Sequence, residues 1–144
     1  MIDRSGELWR GANFDDLAEF VREYTSANYP AEEVRQSRCS GCDGTAFAVT
    51  VDDDEGCAER TCRSCGAAAF IADSDEYWDD AEPGAAACPC GEEVFDVAVG
   101  FSLRGGGELH WVTVGCRCIA CGTLGVYADW KIDYEPSRHL LART

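Results

Sequence analysis

The sequence predicts a small α+β fold: an N-terminal helix or two, followed by two three-stranded antiparallel ribbons related by an internal repeat. Three observations carry this. Near the N-terminus apolar residues recur at helical spacing, further on two strand-like alternations are each bracketed by close cysteine pairs, and the two halves correspond to one another. Laying Cys42 on Cys90 brings Phe47 onto Phe95, and Val49 and Val51 onto Val97 and Val99; laying Cys65 on Cys121 brings Ala72-Asp73 onto Ala128-Asp129. The division that follows is a helical segment at 1–37, a first unit at 38–80, a linker at 81–87, and a second unit with its tail at 88–144.

Each element has a local reason. Asn13 is a suitable N-cap, Asp15 and Asp16 fall in the first turn where the helix dipole favours negative charge, and Leu17, Phe20, Val21 and Tyr24 form the apolar stripe. Pro30 with Glu32 and Glu33 predicts a second short helix running to about Gln36. In the first unit Phe47, Val49 and Val51 alternate at strand period, Asp52 to Gly56 is a turn, the chain returns to Thr61, and Ala67 to Ala72 is a third strand. The second unit repeats this with longer strands. Phe95, Val97, Val99, Phe101 and Leu103 share a face, Arg104 to Gly107 turns, Leu109 to Gly115 returns, and Leu124, Val126, Ala128 and Trp130 alternate along the last strand. Arg138 to Leu141 predicts a short helix in the tail.

Repeats of roughly 45 residues sit near the size at which a hydrophobic core alone is marginal, so each half needs a staple. The 144-residue chain has ten cysteines. The N-terminus lacks a basic region followed by an apolar stretch, and no run of about 18 apolar residues occurs, so the reading is a cytoplasmic protein without a membrane span. In that compartment thiols stay reduced and bind metal. Two cysteines separated by two residues place both sulfurs on one side of a tight turn, and two such knuckles close a tetrahedron. Cys39/Cys42 and Cys62/Cys65 have 19 residues between the pairs, a spacing that suits a Zn²⁺ site with four thiolates and no open position.

The second unit departs from this pattern. Cys88-Pro-Cys90 is one residue short of a normal knuckle, and Cys116-Arg-Cys118 adds a further sulfur, so five thiols compete for four positions. The expected ligands are Cys88, Cys90, Cys118 and Cys121. Cys116 is then a buried neighbour, an alternative ligand displacing Cys90, or a redox or nucleophilic group. Cys57 has no counterpart and, following the Asp-rich turn, reads as a free surface or half-buried thiol. His110 and His139 read as a face residue and a tail residue. Two Zn²⁺ per chain follow, and no catalytic residue is identified.

The paired knuckles resemble the zinc-ribbon superfamily in both units, and also rubredoxins, which hold iron in small acidic proteins. Cys65-Gly66, Cys90-Gly91 and Cys121-Gly122 carry a Cys-Gly step common to both. Cys-Arg-Cys-x-x-Cys-Gly followed by Asp-Trp-Lys is similar to small acidic bacterial cysteine-rich proteins of unassigned function, a likeness that implies no activity. The Arg-over-Lys usage also fits a bacterial source.

Charge narrows the partners. With 27 acidic against 12 basic residues the formal net charge is −15, which argues against nucleic acid, whose binding depends on neutralising phosphates with Lys and Arg. Asp73 to Asp80 and its counterpart from Ala128 to Glu135 mix aromatics with carboxylates, as a surface that docks a basic protein does. Asp75, Tyr77, Trp78, Asp79, Trp130 and Tyr134 are the candidate partner-binding residues, although these segments could equally pack the two ribbons together. The function expected is a non-enzymatic zinc-binding interaction module for a basic protein, as adaptor, inhibitor or immunity-type protein. The alternatives are a nucleic-acid-binding ribbon of transcription or RNA-processing type, and an iron-thiolate or cysteine-based redox protein.

Overall fold

A computed structural model describes residues 2–134 and 136–144. Helix α1 spans Phe14–Thr25. Eight strands follow: β1 Glu33–Gln36, β2 Ala46–Asp52, β3 Cys57–Cys62, β4 Ala68–Phe70, β5 Gly84–Ala85, β6 Phe95–Leu103, β7 Leu109–Cys118 and β8 Leu124–Lys131, with the one-turn helix α2, Ser74–Tyr77, between β4 and β5. They form one antiparallel sheet in the order β4-β3-β2-β6-β7-β8, with β1 added to β6 and β5 to β2. The two cysteine-bracketed units therefore share one continuous sheet rather than standing as separate three-stranded ribbons. They join where Ala46 pairs with Asp96 and Phe47 with Phe95.

Strand registers in the two halves run in step. Phe47 faces Cys62 and Val49 faces Arg60, just as Phe95 faces Cys118 and Val97 faces Cys116. The sheet curls until β2 and β3 pack against β8 across a shared core. Phe47, Phe95, Val97, Val99, Phe101, Ile71, Ile132 and Leu140 fill that core. The Arg60 guanidinium lies 4.5 Å from the Phe47 ring centroid and donates to the carbonyls of Arg38 and Thr144, each at 3.0 Å. Two segments distant in sequence are thereby tied beside the first cysteine site.

Alternate residues of β6 face the other way, toward α1. The N-cap is as the sequence predicts, with Asn13 Oδ1 accepting the Asp16 N–H at 3.0 Å. Leu17 and Val21 are fully buried with Ala98, Leu124 and Ala31, while Tyr24, the last residue of the stripe, is 55% exposed. The helix can lie this close because the sheet beneath it is bare. A Cβ on Gly100 would stand 2.9 Å from Val21 Cγ1, and one on Gly115 would stand 2.5 Å from Val21 Cγ2.

Two expectations are corrected. The segment from Pro30 to Gln36 is not a second helix: Glu33–Gln36 is β1, antiparallel to β6 from Phe101 to Ala98. Strand β2 pairs with β6 over only two positions, so the rest of that buried strand's backbone needs partners. Residues 32–37 supply them, with bonds from Glu32 N–H to the Phe101 carbonyl and from Ser37 N–H to the Val97 carbonyl, both 2.9 Å. Nor does β8 keep a single alternation. A register shift between Val114 and Gly115 leaves Tyr127 as an extra residue, so Leu124 joins the α1 side while Ala128 and Trp130 join the main core. The tail forms a 3₁₀ helix, Arg138–Ala142.

The acidic-aromatic segments do not form one open face. Trp130 is buried and its Nε1–H donates to Asp73 Oδ1 at 3.0 Å; the Tyr134 hydroxyl donates to Asp73 Oδ2 at 2.7 Å. Both rings thus tie the end of the second half to the first. Trp78 is half-buried, edge-on to Phe70 at 5.2 Å, and Asp75 meets Arg143 at 3.5 Å. Of the six candidate partner-binding residues, Asp75, Tyr77 and Asp79 remain exposed.

Burial pushes the Asp73 carboxyl above its ordinary range, opposed by the Tyr134 and Trp130 hydrogen bonds. An acid raised in the folded state contributes stability that is complete below its unfolded value and lost as pH rises through the folded one. Asp73→Asn removes that titration. We expect a cost of about 1–2 kcal/mol for the mismatched donors, and a gap in melting temperature between the native protein and the variant that narrows from acidic to neutral pH. A gap independent of pH would mean that Asp73 does not titrate in the fold.

Candidate metal centres

Two groups of four cysteines converge. The sulfurs of Cys39, Cys42, Cys62 and Cys65 all lie within 4.8 Å of one another, as do those of Cys88, Cys90, Cys118 and Cys121. The closest contacts are Cys39–Cys65 at 3.4 Å, Cys42–Cys62 at 3.5 Å, Cys88–Cys121 at 3.5 Å and Cys90–Cys118 at 3.6 Å. A disulfide requires about 2.05 Å. Four sulfurs at about 2.3 Å from a tetrahedral ion stand roughly 3.8 Å apart, so both sets fit a metal ion.

Backbone hydrogen bonding shows how the chain makes these turns. In three knuckles the first cysteine's N–H donates to the carbonyl five residues on, and the N–H four residues on donates back to that cysteine's carbonyl: Cys39 with Gly44 and Asp43, Cys62 with Ala67 and Gly66, Cys118 with Thr123 and Gly122. The returning residue is left-handed each time, with φ of 62° at Asp43, 78° at Gly66 and 80° at Gly122. Cys88-Pro-Cys90 keeps the same scheme one residue tighter. Cys88 N–H reaches the Glu92 carbonyl, Gly91 N–H reaches the Cys88 carbonyl, each at 2.8 Å, and Gly91 takes φ 97°. The missing residue shortens the loop without removing its closing bonds, so a short knuckle still delivers both sulfurs.

Asp43 is the one left-handed position of the four that is not glycine, a conformation that costs a side chain roughly 1–2 kcal/mol. Its ion pair with Arg38, at 3.8 Å between largely exposed side chains, offsets little. Asp43→Gly should therefore stabilise the metal-loaded protein by about 0.5–1 kcal/mol in denaturant melts. A neutral or destabilising result would show that the Asp43 side chain holds the knuckle in some other way.

The sulfurs are poised unequally. N–H groups of Cys42 and Gly41 draw the Cys39 thiol down to about 6, and the Thr123 hydroxyl and N–H do the same for Cys121, also to about 6. The Gly44 N–H favours the Cys42 thiolate, yet crowding by the Cys62 and Cys65 sulfurs pushes that thiol up to about 12. Cys90 shows the same balance between the Glu92 N–H and the neighbouring sulfurs, and it too reaches about 12. Each set thus favours a first thiolate and opposes the later ones, a repulsion that a bound cation relieves. In every knuckle the first cysteine is buried and the second is more exposed.

Cys116 stands outside the second set. It is fully buried in the core, its thiol pushed far up by burial alone, at the register position that Arg60 holds in the other half. Cys57 is likewise buried, not a surface thiol, and is raised by burial and then by the Asp52 charge. His110 packs against Tyr29 at 4.8 Å and His139 is exposed in the tail.

The N-terminal segment lines the second site, which no cysteine spacing signals. Gly11 N–H donates to the Gly122 carbonyl and Leu124 N–H to the Trp9 carbonyl, both 2.8 Å. Arg117, between Cys116 and Cys118, reaches the Gly11 carbonyl at 2.7 Å and Asp96 at 2.9 Å. A Cβ on Gly122 would meet the Gly11 carbonyl oxygen at 2.7 Å, so this contact depends on glycine twice over.

Two four-cysteine clusters on one antiparallel sheet define a small α+β protein with two sites able to hold metal ions. No helix among the described residues is long and apolar enough to cross a membrane. Comparison with protein families, curated proteins and solved structures yields no match, so the functional reading rests on the geometry of this chain.

Proposed function

We propose that the protein is a non-enzymatic interaction module of tandem zinc-ribbon type, held by two structural Zn²⁺ ions, that binds a basic protein surface in the cytoplasm. The observation that carries the metal part is that each site is complete from the chain, with four sulfurs and their N–H donors in place. A tetrahedral ion so held has no position left for water or substrate, which makes it a staple. The net charge of −15 supports a basic partner, since it speeds encounter with cationic surfaces and repels polyanions. The exposed Asp75, Tyr77 and Asp79 are one place for such contact.

Elemental analysis of protein purified without added metal tests this, with a thiol count alongside. Two zincs per chain, and two thiols that react only after unfolding, are expected. Iron, which would colour the protein red, would overturn the structural-zinc reading in favour of electron transfer. A single zinc would overturn the tandem reading and open the short knuckle to other chemistry.

A further inference from the structure

An apolar groove lies on the face opposite the main core, between the N-terminal segment, α1 and β8. Its volume is about 480 Å³ and it is lined by Leu8, Trp9, Phe20, Tyr24, Leu124 and Val126, with Glu7 and Glu23 at the rim. Leu8 is 51% exposed and Tyr24 55%, although neither is required by the core: Leu17 and Val21 already seal α1 to the sheet. Trp9 stands edge-on to Phe20 at 6.1 Å, and Phe20 stands 6.1 Å from Tyr24. The aromatic row is therefore organised and open.

The chain itself places an arginine on this rim. The Arg4 guanidinium lies 4.9 Å from the Trp9 ring centroid, with its Nη2 at 2.8 Å from Glu23 and 3.9 Å from Glu19. A cation over an indole, gripped by carboxylates, is a favourable arginine site. Across the groove mouth, no ion pair among the described residues reaches Glu7. The last strand adds backbone groups. β8 ends the sheet order, and its Leu124 N–H points outward to the Trp9 carbonyl. Residues two apart on a strand direct their backbone groups the same way, so Val126 presents its N–H and C=O on the groove side.

Resting on the basic-partner reading, we propose that this groove is the docking site for an extended segment of a partner protein in which arginine stands beside a large aliphatic or aromatic residue. The apolar side chain fills the space between Leu8, Tyr24 and Val126, and the arginine pairs with Glu7 or exchanges with Arg4 at Trp9 and Glu23. Charge complementarity distinguishes this occupant from a second copy of the chain, which at a net −15 would repel itself.

The test uses the full-length, metal-loaded protein and three fluorescein-labelled 12-residue peptides: one alternating Arg and Leu, one with every Leu replaced by Ser, and one with every Arg replaced by Glu. The Arg/Leu peptide should bind at least tenfold more tightly than either control in anisotropy titrations. Leu8→Ser and Tyr24→Ser, both at exposed positions, should weaken it at least tenfold with the melting temperature unchanged; Tyr77→Ser should leave it unaltered. Equal binding of the Arg/Ser peptide would overturn the proposal, because charge alone would then account for the affinity. So would self-association in sedimentation velocity that Tyr24→Ser abolishes. Binding lost on Tyr77→Ser but kept in the groove variants would overturn this site while sparing the basic-partner reading. Failure of every basic peptide to bind would overturn both.

Discussion

Removing metal from both sites with a chelator is expected to abolish the folded state, with loss of the far-UV strand signal and of any cooperative melt. A structural zinc site contributes roughly 10–16 kcal/mol of apparent binding free energy at pH 7, while a whole domain of this size is stable by about 5–15 kcal/mol. Four of the eight site cysteines are buried, and without a cation their sulfurs crowd one another with unequal and opposed protonation. The knuckle turns also end the strand pairs: Cys62 pairs with Phe47 and Cys118 with Phe95, at the junction of β2 and β6. Melting either knuckle therefore frays the seam between the halves. Cys118→Ser should reproduce most of the loss, whereas Cys57→Ser, equally buried but outside both sets, should cost only a repacking penalty of about 1–2 kcal/mol.

Acid should act in the same direction. Cys39 and Cys121 are depressed to about 6 from an ordinary 9.0. Groups depressed in the fold contribute stability that is present above the unfolded value and lost as pH falls through the folded one. A bound cation lowers these thiols further still, so metal release and unfolding should set in only below about pH 6 and be reversed by neutralisation with added Zn²⁺. A far-UV spectrum and melting temperature that survive verified metal removal would show that the core alone holds the fold.

The cysteine pattern and the alternation of β6 were legible in the sequence because both are local: a knuckle is written in four or five residues, and a strand buried on one face repeats every second residue. The N-cap of α1 was legible for the same reason. What was not legible depends on residues far apart. Glu33–Gln36 reads as the latter part of a short helix beginning at Pro30, but β6 has an unpaired edge beyond Phe95 and Asp96, and tertiary demand overrides the local signal. The extra residue at Tyr127 reverses the facing of β8 midway, and nothing in Leu124 to Trp130 announces it. Trp130 and Tyr134 read as candidate docking residues until Asp73, more than fifty residues earlier, is seen between them. The groove beside α1 escaped as well, because its N-terminal wall, Leu8 and Trp9, carries no periodicity.

Gly115→Val is expected to be the most damaging single substitution away from the cysteines, at about 3 kcal/mol or more. Gly115 sits on β7 directly beneath α1, where a Cβ would lie 2.5 Å from Val21 Cγ2 and 3.6 Å from Leu17 Cδ1. The helix cannot simply lift. Thr25, in its last turn, accepts the Ala31 N–H at 3.0 Å, and the segment before α1 is fixed to Gly122 at 2.8 Å. Lifting would also uncover Leu17, Val21 and Ala98, and the second core cluster with them. Overpacking a tight site typically costs 1–3 kcal/mol, and here the added side chain meets two fully buried ones rather than a flexible end. A double-mutant cycle with Val21→Ala separates the two possible origins. If the cost is collision, the smaller residue at 21 should recover at least 1 kcal/mol of it beyond additivity, as contacting residues do; strictly additive losses in denaturant melts would locate the damage in β7 itself. Because Val21 is buried while Tyr24 lies one turn on at the groove, Gly115→Val should also weaken binding there in parallel with stability, and adding Val21→Ala should recover part of that binding. The bare patch on β7 is thus what places α1 low enough for its outer face to form a wall.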